Sequence, residues 1–200
     1  MANIASSHSK QDLLMSSLSK FYKNQDNVQE IISIITGKSK ISLRVIDWFV
    51  TNYSKKNNIS YILTQDNKIV DNVDNISKYR EFIVYIDYKL QLKGYQKKQF
   101  DPFCRRSRIN YYYAKNKYFV TTVGQLNFFR WAIKNGIIKY INSNLQNIED
   151  DMNKCYKAVY SSNKNSPDKK KSSRRKRQEL SISATKKLNK SNIKIVVSFD

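Results

Sequence analysis

Side chains that bind metals or act as nucleophiles are scarce in this chain of 200 residues. Its two cysteines, Cys104 and Cys155, are far apart and lack a CxxC partner, and its single histidine is His8. Because a structural zinc site needs about four Cys or His ligands, the sequence predicts no zinc site. Two cysteines do not form a disulfide framework, so free thiols and an intracellular protein are expected. No cofactor is predicted.

A catalytic constellation is also missing from the sequence. Cys104 precedes a cluster of arginines, but a phosphatase-type loop places Arg six positions after the cysteine, and Asn110 stands there. No histidine lies nearby to activate the thiol, which favours a buried structural cysteine over a nucleophile. Asp47, Asp87 and Asp101 could hold a metal, but no spacing argues for it. Glycine is too scarce for a loop that cradles phosphates, and the sequence predicts that the protein is not an enzyme.

Long apolar runs are absent as well. No stretch approaches the roughly 20 consecutive apolar residues of a membrane-spanning helix. The N-terminal segment MANIASSHSKQD lacks the apolar core of a signal peptide. We therefore expect a soluble protein that has no membrane span and is made in a cytosol.

Positive charge is what the sequence has in excess. Lys and Arg total 37 against 16 Asp and Glu, which gives a formal net charge of +21. Such an excess repels itself unless a polyanion is close, and nucleic acid is the commonest polyanion, followed by an acidic membrane face or an acidic protein. An AT-rich genome raises Lys, Asn, Ile and Tyr throughout a sequence, so part of the excess can be compositional.

The order of apolar patterns predicts one α+β domain with appendages. Its parts are N-terminal helices, a small mostly antiparallel sheet, a central buried helix and a C-terminal β-hairpin. Residues 1–11 are predicted to be a disordered tail and residues 12–160 the domain. Residues 161–178 are predicted to be a basic disordered linker. Residues 179–200 should form the hairpin, which must dock on the domain because isolated hairpins are marginal.

Three N-terminal helices are predicted from apolar spacing and capping residues. Asp12 is the expected N-cap of the first helix. Gly37 is expected to end the second helix, and Ser39 or Ser42 to cap the third.

Strands are predicted where apolar and polar residues alternate. The segments ISYILT and IVDNV, separated by the turn-forming QDNK, indicate a strand pair. The alternation is cleanest in EFIVYIDYKLQLKGY, which predicts a long strand over residues 82–93, with a helix as the less favoured alternative.

The central helix is predicted in the segment TVGQLNFFRWAIKNG. Thr122 is its expected N-cap, Gln125 would complete a capping box, and Gly136 would end the helix. Apolar residues cover most of its circumference, so it should be buried. The preceding YFVTT is predicted to be a short strand, and an apolar stripe from Leu145 to Val159 predicts a later helix.

The candidate binding residues of the domain follow Asp101-Pro102 in the middle of the chain. They are Arg105, Arg106, Arg108, Tyr111, Tyr112 and Tyr113. Guanidinium groups bind phosphates through paired hydrogen bonds, and bases stack on aromatic rings, so this composition is typical of nucleic-acid surfaces. In the alternative, the arginines pair with acidic side chains and the tyrosines pack in the core.

A second group of candidates lies in the predicted linker. It consists of Lys169, Lys170, Lys171, Arg174, Arg175, Lys176 and Arg177. Basic runs of this kind bind nucleic acid or act as nuclear-import signals, and the alternative is a solvated linker.

Several segments of the chain resemble a known family. DPFCRRSRI, TTVGQLNFFRWAI, ISLRVIDWFVTNYSKK, FIVYIDYKLQLKGYQKKQF and IKIVVSFD are similar to a family of uncharacterised proteins of nucleocytoplasmic large DNA viruses, including giant amoebal viruses. The likeness covers roughly residues 38–142 and the C-terminal hairpin. It implies a viral origin, cytoplasmic replication, and residence in the virus factory or the virion. The resemblance implies no catalytic residue in this chain.

Two functions are expected from these observations. The first is non-specific binding of DNA or RNA through Arg and Lys contacts to phosphates, in viral transcription, replication or genome packaging. The alternative is a minor structural or assembly protein of the virion that acts through contacts with viral proteins. No small-molecule ligand is predicted. The expected location is the host cytoplasm or the virion, with nuclear import as a further option.

Overall fold

The computed structural model describes residues 10–64, 69–70 and 79–164, with side chains up to residue 158. The predicted C-terminal hairpin, residues 179–200, lies outside the described residues, and so do residues 165–178 of the predicted linker and residues 1–9 of the predicted tail. The described residues up to Tyr160 belong to one compact unit.

The α+β architecture predicted from the sequence is confirmed. In chain order the elements are α1 (Lys10–Phe21), α2 (Gln25–Ile35), α3 (Leu43–Trp48), a π-helical turn (Phe49–Tyr53), α4 (Ser54–Lys56), β1 (Ser60–Thr64), β2 (Ile69–Val70), β3 (Tyr79–Ile83), α5 (Val84–Gln99), β4 (Arg108–Ala114), β5 (Lys117–Thr122), α6 (Val123–Lys134), α7 (Ile137–Ser143) and α8 (Leu145–Lys164). Helix α8 thus includes residues 161–164, the first part of the predicted linker. No helix of the described ranges is long and apolar enough to span a membrane.

The first helix begins before the residue expected from the sequence. The assignment of Asp12 as an N-cap is wrong, because α1 begins at Lys10 and Asp12 lies inside its first turn. There its negative charge interacts favourably with the helix dipole. Helix α2 is capped by Asn24, whose side chain accepts a hydrogen bond of 2.8 Å from the amide of Asp26. Gly37 follows α2 with a φ of 72°, the left-handed conformation expected there.

The third predicted helix is continuous in the chain but irregular in winding. Ser42 caps α3 by accepting a hydrogen bond of 3.2 Å from the amide of Val45. The helix then widens into the π-helical turn and ends in α4. Phe49 and Val50 in the turn are fully buried, so the irregular part belongs to the core.

A three-stranded antiparallel sheet has the order β2-β1-β3. The predicted pairing of ISYILT with the following strand is confirmed, with Ile62 opposite Val70. On the other side of β1, Tyr61 lies opposite Phe82, and the two rings pack with centroids 5.4 Å apart.

The long strand predicted over residues 82–93 is wrong. Strand β3 ends at Ile83, and the chain continues as helix α5. Val84 and Tyr88 are four residues apart and face the core, whereas Ile86 and Leu90 are 54% and 58% exposed. Burial of one helical face therefore outweighs the strand preference of β-branched and aromatic residues.

Helix α6 lies at the centre of the fold, as predicted. Thr122 caps it, since its hydroxyl oxygen accepts a hydrogen bond of 3.0 Å from the amide of Gln125. The expected capping box is wrong in its second half. The Gln125 side chain instead accepts from the Thr121 hydroxyl and donates to the carbonyl of Pro102, both at 2.8 Å. Gln125 therefore ties the start of α6 to the loop after α5. Gly136 ends α6 with a φ of 69°.

The core is rich in aromatic rings that surround α6. Phe100, Phe128 and Trp131 form mutual ring contacts with centroids 5.1–5.5 Å apart. The predicted helix α8 buries Ile148 and Met152. Asp151 of α8 accepts a hydrogen bond of 3.1 Å from Nε1 of Trp48 and forms an ion pair with Lys56, so α8 is linked to both α3 and α4.

Candidate nucleic-acid interface

The strands β4 and β5 form a hairpin with two different faces. They pair antiparallel, with Arg108 opposite Thr122 and Tyr112 opposite Tyr118. Side chains alternate between the faces of a strand, and along β4 the residues from Arg108 to Ala114 alternate between exposed and half-buried. We call the solvent-facing side of this hairpin the outer face. It carries Arg108, Asn110, Tyr112, Ala114, Tyr118 and Val120.

A pair of exposed aromatic rings occupies the outer face. The rings of Tyr112 and Tyr118 lie 5.2 Å apart between centroids and are tilted by 44°. Their residues are 64% and 51% exposed, and Val120 beside them is 45% exposed. Large apolar and aromatic side chains are usually buried, so this exposed cluster is a candidate contact surface.

Exposed cations lie at both ends of the hairpin that carries the tyrosine pair. Arg106 precedes β4, Arg108 begins it, and Lys115 and Lys117 lie at the turn, and all four residues are exposed. Neither ion pair found in the described ranges involves any of them. The sequence contains no Asp or Glu between Asp101 and Glu149. The outer face therefore presents positive charge without a carboxylate from its own strands.

Arg105 differs from Arg106 and Arg108, because it forms an intramolecular ion pair. Its Nε and Nη2 donate hydrogen bonds of 2.9 and 2.8 Å to the two carboxylate oxygens of Asp101. Its guanidinium group also lies 4.7 Å from the ring centroid of Phe103. The hydrogen bonding to Asp101 raises the pKa of Arg105. The alternative left open by the sequence, pairing with an acidic side chain, thus holds for Arg105.

The Asp101 carboxylate also fixes the loop that precedes the hairpin. Its Oδ1 accepts a hydrogen bond of 3.1 Å from the amide of Phe103. The backbone amide of Asp101 donates to the carbonyl of Gly124 at 3.2 Å, which anchors the loop to the start of α6. The hydrogen bonds of Asp101 therefore fix the beginning of the loop that carries Arg106 and leads to Arg108.

The three predicted tyrosines do not share one face. Tyr111 packs against Tyr22 and Phe119 at centroid distances of 5.8 and 5.7 Å, and its burial raises the pKa of its hydroxyl. Tyr113 packs against Phe119 at 6.1 Å. Both point inward, and Tyr112 is the one of the three on the outer face.

Tyr118 lies on the outer face, and Lys115 and Lys117 lie at the turn beside it, although none of the three was among the sequence candidates. Two signals in the sequence could have identified them. One is the strand RINYYYA, which pairs with KYFVTT across a two-residue turn at Lys115 and Asn116. The other is the absence of acidic residues between Asp101 and Glu149. The seven cations of the predicted arm, residues 169–177, lie outside the described residues.

Residues 10–64, 69–70 and 79–164 contain no cluster of three or more His, Cys, Asp or Glu side chains that could hold a metal ion. Cys104 and Cys155 are free thiols, and both are half-buried.

The chain has relatives among known proteins. A family model described as "Family of unknown function (DUF7197)" matches residues 2–198. The chain is 46% identical over 135 residues to "Uncharacterized protein L507" of Acanthamoeba polyphaga mimivirus. The match covers 65% of the chain and 48% of that relative, so the chain spans about half the length of the curated relative it matches. No solved structure matches the chain. The resemblance to giant-virus proteins drawn from the sequence is confirmed.

Proposed function

The chain belongs to the family of unknown function DUF7197, with a mimivirus protein among its relatives, and from its hairpin surface we propose that it binds nucleic acid without sequence specificity. The observation that carries the proposal is the hairpin, whose outer face exposes Tyr112 and Tyr118 and whose two ends carry exposed cations. This combination matches single-stranded nucleic acid, because aromatic rings stack on unpaired bases while cations follow the phosphates.

The tyrosines of the outer face and the exposed cations at the two ends of the hairpin have different parts in the proposed contact. Arg106, Arg108, Lys115 and Lys117 would neutralise phosphates, and Tyr112 and Tyr118 would stack on bases. Four phosphate contacts on a single strand correspond to a slope of about −3 in a plot of log K against log salt. Base stacking contributes about 1–3 kcal/mol per base and tolerates any sequence. The cations of residues 169–177 would add further phosphate contacts and a steeper slope.

The proposed role is in viral transcription, replication or genome packaging. The corresponding location is the virus factory in the host cytoplasm or the virion, and the basic residues 169–177 would permit nuclear import. The large net positive charge supports a polyanionic partner.

Binding of a fluorescently labelled single-stranded oligonucleotide, measured by anisotropy over a series of salt concentrations, tests the proposal. Tyr112→Ile/Tyr118→Ile removes the rings but keeps residues that favour strands, and it should weaken binding about thirtyfold or more without changing the salt slope. Arg106→Ala/Arg108→Ala should reduce the slope by about 1.4. Lys38→Ala/Lys154→Ala removes the same charge from exposed positions elsewhere and is the matched control. Equal effects of the two charge variants would contradict a localised site.

A second function, assembly with another viral protein, is favoured by a different surface. Ile86 and Leu90 lie one turn apart on α5, are 54% and 58% exposed, and form an apolar patch bordered by Lys89 and Lys93. A second copy of the chain would place lysines against lysines, so the occupant that fits is a partner with an apolar surface rimmed by carboxylates. Leu90→Glu should then abolish incorporation into virus particles, whereas Lys154→Glu should not. Unchanged incorporation of a folded Leu90→Glu protein would exclude this function.

A further inference from the structure

A second positively charged site lies in a cleft formed by other elements. The cleft has a volume of about 810 Å³ and is lined by α1, β3, α5 and α6. Among the described residues, its charged side chains are Arg80, Asp87, Arg130 and Lys134. The volume falls within the range typical of sites for small molecules.

The guanidinium group of Arg130 is held in the cleft by neutral partners. Its Nη1 donates a hydrogen bond of 2.7 Å to the hydroxyl of Ser17, and its Nη2 donates one of 2.6 Å to Oδ1 of Asn127. A guanidinium group has five N–H donors, so these two contacts fix its position and leave donors for a ligand. Neither ion pair of the described ranges includes Arg130 or Lys134.

The Asp87 carboxylate of the cleft accepts hydrogen bonds from neutral groups. Oδ1 of Asp87 accepts a hydrogen bond of 2.6 Å from Nε1 of Trp131 and one of 3.4 Å from Nε2 of Gln91. Asp87 is therefore held against the indole ring, and no hydrogen bond joins it to Arg130 or Lys134 in the described part of the chain. The indole of Trp131 in turn lies directly at the cleft.

The spacing of Arg130 and Lys134 on α6 favours the binding of an anion between them. They are four residues apart, which places them on the same face of the helix, where like charges repel. Attraction to the carboxyl end of the helix dipole accounts for Lys134 in the last turn, but it does not extend to Arg130 one turn earlier. A bound phosphate would offset the repulsion between the two side chains, and guanidinium groups bind phosphates with paired hydrogen bonds.

We propose that the cleft binds a small phosphate-bearing molecule of nucleotide size, with Arg130 and Lys134 as the phosphate ligands. Half-buried Gln91 supplies a hydrogen-bonding group for the rest of the ligand, whereas both amide atoms of Asn127 are bonded within the protein. The site differs from the outer face of the hairpin in its residues and in its ligand, because a cleft of this size holds a small molecule, whereas the outer face suits an open strand. No ligand of this kind was expected from the sequence.

Trp131 provides a direct measurement of binding. The chain has two tryptophans, so the full-length Trp48→Phe protein reports the cleft alone. It is titrated at constant ionic strength with inorganic pyrophosphate, uridine monophosphate and uridine. We expect saturable changes in fluorescence with the first two and none with uridine. Absence of saturation with both phosphate compounds would overturn the proposal.

Variants distinguish the cleft from other cationic surfaces. Arg130→Gln keeps amide hydrogen-bonding groups at the site and should weaken pyrophosphate binding at least about tenfold, the effect of losing a charged ligand. Lys134→Gln, at an exposed position, should weaken it in the same direction and serves if Arg130→Gln does not fold. Lys154→Gln and Tyr112→Ile/Tyr118→Ile should bind as the parent does. Unchanged affinity in both cleft variants, or displacement of pyrophosphate by a uridine oligonucleotide but not by uridine monophosphate, would refute a small-molecule site.

Discussion

Arg105 and Arg108 are close in the sequence, but alanine at each position should affect a different property. In Arg105→Ala the carboxylate of Asp101, whose side chain is 7% exposed, loses two hydrogen bonds. A hydrogen bond to a charged group contributes about 1.5–3 kcal/mol, but the Arg105 side chain is 61% exposed and solvent weakens the pair. We expect the free energy of unfolding to fall by about 1–2 kcal/mol, which lowers Tm by about 2–8 °C.

Arg108→Ala should leave stability almost unchanged. The Arg108 side chain is exposed at the start of β4, and surface substitutions of this kind stay within about 0.5 kcal/mol. Its loss should instead remove one phosphate contact and reduce the salt slope of single-strand binding by about 0.7. Arg105→Ala should leave that slope intact, because the charge of Arg105 is already paired with Asp101.

Two measurements on the same proteins test this division. Urea unfolding followed by circular dichroism gives the free energy of unfolding, and anisotropy over a salt series gives the slope. Arg105→Lys is the informative control, since it keeps the charge but lacks the paired donors of a guanidinium group. It should lower the free energy of unfolding without changing the salt slope of single-strand binding. If Arg105→Ala reduces the salt slope as much as Arg108→Ala does while stability is unaffected, the assignment of the two arginines is incorrect.

Three further predictions concern the packing and titration of the domain. A Cβ at Gly124 would lie 3.2 Å from the carbonyl oxygen of Lys98, so Gly124→Ala should cost about 1–3 kcal/mol in thermal or urea unfolding. Gly94→Ala, within α5 and with nothing near its Cβ, should stabilise by about 0.5–1 kcal/mol, and equal effects at the two glycines would contradict the close approach at Gly124. Tyr22→Phe removes a buried hydrogen bond of 2.8 Å to a carbonyl of α6 and should cost about 0.5–1.5 kcal/mol by the same measurement, with no loss expected if that bond is absent in solution. Burial raises the pKa of Glu30, so the folded protein holds that proton more tightly and loses stability as pH rises through the raised pKa. Glu30→Gln should therefore be more stable than the parent at neutral pH, by less than about 1 kcal/mol after solvent screening, and the difference should vanish below the ordinary pKa of Glu; a constant difference across pH would exclude this origin.

The sequence predicts those elements whose signals are local. Thr122 and Ser42 cap helices because the hydroxyl and the amide it accepts from are three residues apart. Gly136 ends α6 for the equally local reason that a left-handed φ suits glycine. These features require no knowledge of distant parts of the chain.

The segment after β3 shows where local patterns stop being sufficient. Its apolar residues alternate, but Val84 and Tyr88 find partners in the core while Ile86 and Leu90 do not. Only tertiary contacts decide which apolar side chains are buried. The sequence pattern of this segment therefore resembles that of a strand although the segment is helical. The hydrogen bonds of the Gln125 side chain are similar, because Pro102 is a partner that spacing along the chain does not reveal.

The candidate surface was predictable in composition but not in geometry. Arginine next to tyrosine indicated the correct part of the chain, and strand pairing decided which side chains point outward. Register places Tyr118 opposite Tyr112, and alternation turns Tyr111 into the core. The partner of Arg105 is four residues away and is visible in the sequence, but the bidentate geometry depends on the path of the backbone between the two residues.

The π-helical turn explains how one carboxylate can hold two segments of the same helix. Trp48 and Lys56 are eight positions apart, which in a regular α-helix separates their directions by about 80°. The wider winding of Phe49–Tyr53 reduces this angle to about 10–20°, so both side chains reach Asp151 of α8. Deleting Thr51 would convert the turn to ordinary α-helix and leave Trp48 and Lys56 seven positions apart, still on the same side. An inserted residue would instead rotate Lys56 by about 100° and release it from α8. The helix should thus tolerate shortening by one residue at this point and resist lengthening.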